Sequence, residues 1–269
     1  MPEGHTLHRL AKLHQRRYAG APVAVSSPQG RFAASAAIVD GRVLESAQAH
    51  GKHLFHRYGP DATVHVHLGL YGKFSEAKLP AAAPVGQVRM RIVGRTYWTD
   101  LRGPNACQLL TEDEVEVIRA RLGPDPIRRD SDPQRAWARI SRSRTALATL
   151  LMDQSVIAGV GNVYRAEVLF RHGVPPLLPG KQLDAEHWKL IWDDLVELMR
   201  LGVRTGRMDT VRPEHMPEAT GRPPRVDRHG GEVYVYRRAG QPCLVCGNPV
   251  LTSRHAGRNL YWCAICQAG

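Results

Sequence analysis

Four of the chain's five cysteines crowd its C-terminal end, as Cys243, Cys246, Cys263 and Cys266 in the pattern C-x2-C-x16-C-x2-C. Each knuckle offers two thiolates, and two knuckles close a tetrahedron of soft ligands suited to zinc. Four protein ligands leave no open position for a substrate, so one Zn2+ held here would organise the chain rather than catalyse. Cys107, the fifth, is expected to pack as a small apolar residue. A second chemical feature is the run Gly159-Val160-Gly161-Asn162. The glycines permit a tight turn, Asn162 is a good N-cap for a following helix, and exposed amides at such a helix start attract an anion. On these residues alone an ordinary Asn-capped helix hairpin is the favoured reading.

The charge names a class of anion. Across 269 residues, 37 Lys+Arg against 25 Asp+Glu leave a net +12. An excess of this size points to a polyanionic partner, nucleic acid ahead of an acidic membrane surface. No apolar run reaches the length of a membrane-spanning helix, and the start Met1-Pro2-Glu3-Gly4-His5 lacks the layout of a signal peptide. A cytoplasmic protein with no membrane partner is the expectation.

Periodicity predicts the elements that position these residues. Residues 3–18 read as an amphipathic helix with Leu7, Leu10 and Ala11 on one face. From about 22 to 110 short β-type runs alternate with Gly and Pro, among them 42–44, 53–55, 63–67 and 88–93, which predicts a sandwich or barrel. A helix over about 112–122 starts at Thr111 with an acidic first turn. A Pro-rich, charged linker over 124–135 separates an N-terminal domain, 1–123, from the rest of the chain. Helices are predicted over about 134–140, 143–153, 161–172 and 184–202, and an irregular Arg-, Pro- and Gly-rich loop over 204–231. That places a helical domain at 136–232. Residues 233–236 should then form a strand leading into the zinc module, 233–269.

The segment Leu151-Met152-Asp153-Gln154 followed by Gly159-Val160-Gly161-Asn162 resembles the helix–two-turn–helix element of the formamidopyrimidine-DNA glycosylase/endonuclease VIII family. The opening Met-Pro-Glu-Gly, the lysine in Gly51-Lys52-His53-Leu54-Phe55, and the four-cysteine finger with an arginine before Tyr261-Trp262-Cys263 agree with that family. The resemblance spans the chain in order and is nearest the endonuclease VIII branch in its actinobacterial form. It implies an α+β fold: an N-terminal β-sandwich with flanking helices, then a helical helix–two-turn–helix domain ending in a four-cysteine zinc-finger β-hairpin. It also implies a bacterial, nucleoid-associated monomer that grips damaged DNA between the two domains. Its activity would be that of a bifunctional DNA glycosylase and AP lyase, removing oxidised bases, pyrimidines above purines, and cutting by β,δ-elimination. The alternative is a non-catalytic zinc-bearing DNA- or RNA-binding protein on the same scaffold.

The family carries specific roles onto specific residues. Pro2, freed of Met1, becomes a secondary amine that attacks C1′ of an extruded nucleotide, and the resulting iminium is an electron sink for elimination. Taken alone, Pro2 reads as a residue favoured at a helix start. Glu3 is the general acid and sugar proton shuttle, and Lys52 the second amine, which protonates the departing base or sugar. Arg258 is the δ-elimination residue, with Arg254 as its rival. Gly161, Asn162 and Arg121 bind phosphate, and His67, DNA-facing, belongs to the DNA-contact set. Leu70 and Tyr71 fill the hole left by flipping, unless they pack in the core. Gly69 departs from the Gln that many relatives carry there. His65 and His67 share a strand face with no third metal ligand in view.

Overall fold

The computed structural model describes residues 2–226 and 231–268. The chain divides into two compact units, Met1–Arg121 and Leu122–Gly269.

The first unit is two four-stranded antiparallel sheets with three helices. One sheet has the order β1-β6-β7-β5, from β1 (Ala24–Ser26), β5 (Lys73–Lys78), β6 (Val88–Val93) and β7 (Tyr97–Arg102). The other has the order β2-β3-β4-β8, from β2 (Ser46–His50), β3 (His53–Arg57), β4 (Thr63–His67) and β8 (Ala106–Leu110). Leu54, Val64 and Val66 of one sheet share a core with Val25, Met90, Ile92 and Leu101 of the other, as the sandwich pattern predicts. Helix α1 (Gly4–Tyr18) adds Leu7, Ala11 and Tyr18 to that core and packs on β2 and β3. The short α2 (Ala33–Val39) lies beside β1. Helix α3 (Glu112–Ala120) starts at Thr111 with a full capping box: the Thr111 hydroxyl accepts from the Glu114 amide, and the Glu114 carboxylate accepts from the Thr111 amide. The expected strand at 42–44 is absent. Val43 and Leu44 make only isolated bridges, to Pro22 and Ala19, because the chain there ties the helix exit to the sheet.

The second unit holds α4 (Pro133–Ile140), α5 (Leu147–Leu150), α6 (Asn162–Arg171), α7 (Ala185–Thr205), α8 (Pro217–Thr220) and the hairpin β9 (Leu251–His255) and β10 (Arg258–Trp262). Its apolar core runs without a break from Ile140, Leu147, Val168, Ile191 and Leu195 to Val250, Leu260 and Cys263. Three sequence expectations need correction here. The helix expected over 143–153 shrinks to the four residues of α5, because Ser143 and Thr145 bond locally and the backbone amides of Leu147 and Ala148 reach the carbonyls of Leu178 and Pro176. The loop after α7 contains a 3-10 turn, Pro213–His215, as well as α8, and its residues 227–230 lie outside the described ones. The expected strand at 233–236 has no ladder. The amides of Tyr234, Val235 and Tyr236 donate instead to the buried carboxylate of Glu167, at 2.6, 2.9 and 2.8 Å. A carboxylate that satisfies three successive amides replaces the partner strand.

Candidate active site and zinc centre

In the first unit the chemistry begins at the N-terminus of α1. Glu3 stands at the N-cap in extended backbone (φ −109°, ψ 176°), yet its side chain does not cap the helix. It is 1% exposed, which is rare for a carboxylate and requires compensating interactions. Pro2 beside it is half-buried. The first helical turns are rich in cationic and titratable groups. Burial, then the positive charge of Arg9, then His8 push the His5 imidazole down to a pKa of about 4.

Lys52 occupies the two-residue turn of the β2–β3 hairpin, closed by the His50–His53 pair, with Gly51 in the left-handed region at φ 55°. The hairpin lies against α1, the helix that begins beside Glu3. Around Lys52 the sheet assembles imidazoles. His53 lies opposite His67 in the β3–β4 register, and its Nδ1 meets His65 Nε2 at 2.8 Å. Burial first, then His65, His67, His50 and the Lys52 ammonium lower the His53 pKa to about 3. Burial first and then Lys52 lower that of His67 as well. The structure therefore brings Lys52, His53, His65 and His67 together. His53 was not among the predicted site residues, although its place directly after the lysine was a signal.

Leu70 and Tyr71 sit in the turn between β4 and β5. They are 57% and 85% exposed, so core packing is not their role. Gly69 shapes this turn: its φ is +66°, and a Cβ added there would stand 2.8 Å from the Asn105 Cβ. A glutamine at this position would strain the backbone and displace Asn105. Arg121 is exposed at the C-cap of α3, at the end of the first unit. Cys107 packs against the core, and burial raises its thiol pKa to about 12.

In the second unit Gly161, not Asn162, is the N-cap of α6, with extended backbone (φ −127°, ψ −161°). Asn162 is the first helical residue, and its side chain turns away from its own helix start. Its Nδ2 donates to the Asn259 carbonyl at 3.0 Å and its Oδ1 accepts from Arg165. The expected cap is displaced because this amide is engaged by the zinc hairpin. Asp153 and Gln154 order the turn: Asp153 Oδ1 accepts from the Ser155 amide at 2.8 Å, and Gln154 Oε1 from the Gly159 amide at 2.9 Å.

The hairpin turns at Ala256-Gly257, with φ 46° and 76°, the signature of a type I′ turn. Arg258 comes directly after the turn and is exposed, and Arg254 is exposed on β9 opposite Asn259.

The four cysteine sulfurs lie within 4.8 Å of one another, a cluster that stands alone among the described residues. Cys243 and Cys266 sulfurs are 3.7 Å apart and those of Cys246 and Cys263 3.4 Å. Tetrahedral zinc with bonds of about 2.3 Å requires sulfur separations of roughly 3.8 Å, so the set fits. The Val245 amide and the Asn248 side chain point donors at Cys243 and Cys246, at 3.5 and 3.6 Å, as thiolate ligands require. Zinc here would carry no chemistry beyond holding the hairpin.

Comparison with known proteins decides the family. Residues 1–107 match the formamidopyrimidine-DNA glycosylase N-terminal domain, 122–213 the formamidopyrimidine-DNA glycosylase H2TH domain, and 240–269 the zinc finger found in FPG and IleRS. The chain belongs to the formamidopyrimidine-DNA glycosylase/endonuclease 8 family. Within this family it is 55% identical to endonuclease 8 1 of Mycobacterium tuberculosis H37Rv, over 99% of this chain and 100% of that one. It is 32% identical to a probable endonuclease 8 2 of Streptomyces coelicolor, over 100% and 95% of the two chains. The Lactococcus lactis Fpg structure solved with DNA containing an abasic site superposes with a TM-score of 0.79 at 21% identity, over 99% of this chain and 100% of that one. That likeness establishes the α+β fold with its zinc-finger hairpin. Among the described residues no helix is long and apolar enough to cross a membrane.

Proposed function

We propose that this chain is a bifunctional DNA glycosylase and AP lyase that removes oxidised bases, pyrimidines preferred, as a monomer on chromosomal DNA. The observation that carries the reading is the end-to-end match to an endonuclease 8, at 55% identity, in a chain that holds Pro2, Glu3, Lys52 and the four cysteines. A net charge of +12 suits the phosphate backbone.

The Pro2 amine, once Met1 is removed, attacks C1′ of a flipped nucleotide; Met1 itself lies outside the described residues. The N-glycosidic bond breaks, and its electron pair leaves with the base, which takes a proton from Lys52 or Glu3. The nitrogen gives up its proton, the C1′–O4′ bond breaks with its electron pair going to O4′, which takes a proton, and the nitrogen becomes an iminium. A proton leaves C2′, a C2′=C3′ bond forms, and the 3′ phosphate departs with the C3′–O electron pair. A proton then leaves C4′, C4′=C5′ forms, and the 5′ phosphate departs likewise. The iminium accepts electron density in both eliminations, so no outside oxidant is needed.

A secondary amine must be neutral to attack. The Pro2 amine stands at the N-terminus of α1, whose positive dipole end favours the neutral form of an amine placed there. Buried Glu3 is the nearby carboxyl for proton transfer. Exposed Leu70 and Tyr71 enter the vacated stack. Arg121, Gly161 and Asn162 contact phosphates, His67 faces the DNA, and Arg258 grips the phosphate lost in δ-elimination. The amine belongs to the domain read as 1–123 and the zinc-held arginine to the module read as 233–269, with 124–135 as linker and 136–232 as the helical domain.

An oligonucleotide duplex with one oxidised pyrimidine tests the reading. The wild type should leave a one-nucleotide gap with phosphates at both ends, and Pro2→Gly should lose most of that cleavage. Uncut DNA with the wild-type protein would defeat the proposal.

A further inference from the structure

Helix α6 carries a buried cation that the elimination chemistry does not use. Arg165 is 1% exposed, one turn into a helix whose other buried residues are mostly apolar. Burying a guanidinium is costly unless hydrogen bonds compensate it. Its donors reach three stretches of chain: the Ala148 carbonyl in α5 at 3.1 Å, the Asn162 side-chain oxygen, and the Asn259 carbonyl in β10 at 3.2 Å. Asn162 Nδ2 donates to that same carbonyl at 3.0 Å. Across the turn, the Thr149 hydroxyl and His255 Nε2 meet at 2.8 Å. The residues flanking Ala256-Gly257-Arg258 are therefore bound on both sides to the helix–two-turn–helix element, while Arg258 stays exposed.

We propose that Arg165 is a positioning residue for δ-elimination. It locks the Asn259 backbone to Asn162, so that the guanidinium of Arg258 and the start of α6 engage the DNA backbone in fixed register. The proposal rests on the reading of Arg258 as the δ-elimination residue. Zinc holds the base of the hairpin and Arg165 holds its tip. Arg165 itself is buried and touches no substrate. The second elimination loses a proton from C4′ and the 5′ phosphate with its C5′–O electron pair, and Arg165 alters only the placement of the group that stabilises that leaving phosphate. A misplacement of about 1 Å can cost up to roughly a hundredfold in rate. The amine chemistry, which belongs to the other unit, should suffer less.

Arg165→Met and Arg165→Lys are compared with wild type on a duplex with a preformed abasic site. Denaturing gels separate the 3′ unsaturated aldehyde of β-elimination from the 3′ phosphate of δ-elimination, and zinc content and borohydride trapping are measured in parallel. The expected result for Arg165→Met is a δ-to-β ratio lower by about tenfold, with trapping reduced far less and zinc retained. Arg165→Lys, which keeps a cation and some donors, should lie between. Should Arg165→Met fail to hold zinc, the ratio for Arg165→Lys decides alone. A wild-type ratio in the zinc-bound variant overturns the proposal, as does a parallel fall of trapping and δ-product. A wild-type protein that never traps would instead defeat the enzymatic reading itself.

Discussion

Glu167→Gln should destabilise the second unit by about 2–4 kcal/mol, a figure set by its lost hydrogen bonds. The Glu167 carboxylate accepts four hydrogen bonds: its Oε2 from the Thr210 hydroxyl and the Tyr234 amide, both at 2.6 Å, and its Oε1 from the Val235 and Tyr236 amides, at 2.9 and 2.8 Å. A glutamine keeps the shape but turns one acceptor into a donor, so one pair of donors loses its partner. Thr210 can re-aim its hydroxyl to the Glu232 carbonyl, already 3.2 Å away. A buried amide has no such freedom, and orphaning one costs about 1–3 kcal/mol, with donor facing donor adding to it. For a unit of this size each kcal/mol lowers the melting temperature by roughly 2–4 °C, so a drop of about 5–15 °C is expected. Hydrogen exchange should speed up first at Tyr234, Val235 and Tyr236. Glu167→Met, which orphans all three amides, should be worse than Glu167→Gln. A melting temperature within about 2 °C of wild type, or Met milder than Gln, refutes the account of this segment.

The same structure sets further expectations. His56 is fully buried with its pKa lowered to about 4, and His14, bonded to it at 2.9 Å, is lowered by burial too. Because the fold disfavours their protonated forms, stability is full above about pH 6.5 and falls as the pH drops toward 4, with His56 alone contributing about 3 kcal/mol of that loss. Urea titrations across this range should show the decline, and His14→Leu/His56→Leu should make it shallower, leaving the share of His5 and His53, whose pKa values are also lowered, to about 4 and 3. Ala256→Asn should stabilise the zinc hairpin by about 1 kcal/mol in thermal melts, since Ala256 sits at φ 46°, where asparagine is better tolerated. Metal analysis should find one zinc per chain, and its chelation should lower the melting temperature and free the hairpin. Tyr71→Ala should leave stability within about 0.5 kcal/mol, because the ring is 85% exposed, yet weaken binding to lesion-containing duplex measured by fluorescence anisotropy.

The features legible in the sequence were periodic or spaced along the chain. Helix α3 announced itself through Thr111 and three acidic residues, α7 through its apolar repeat, and the metal centre through cysteine spacing. The sandwich was legible because its strands carry short runs of buried Val, Leu, Met and Ile. The features that stayed hidden depend on contacts between distant segments. Residues 233–236 have strand-forming side chains, but Glu167 captures their amides from 67 or more positions away. Asn162 has the chemistry of a cap, but Asn259 engages its amide from the other end of the unit. Arg165 and Glu167 left a faint trace, as charges inside a run otherwise apolar from Val163 to Phe170, and a buried charge must be paired. His65 and His67 were legible as a pair on one strand face, but His53 joined them only when the β3–β4 register set it opposite His67.

The amine of Pro2 is the centre of the account. Protein incubated with abasic-site DNA and borohydride, then digested and sequenced by mass spectrometry, should carry the reduced deoxyribose on the N-terminal peptide, on the nitrogen of Pro2. An adduct on Lys52, or on any other side chain, with Pro2 unmodified would contradict it.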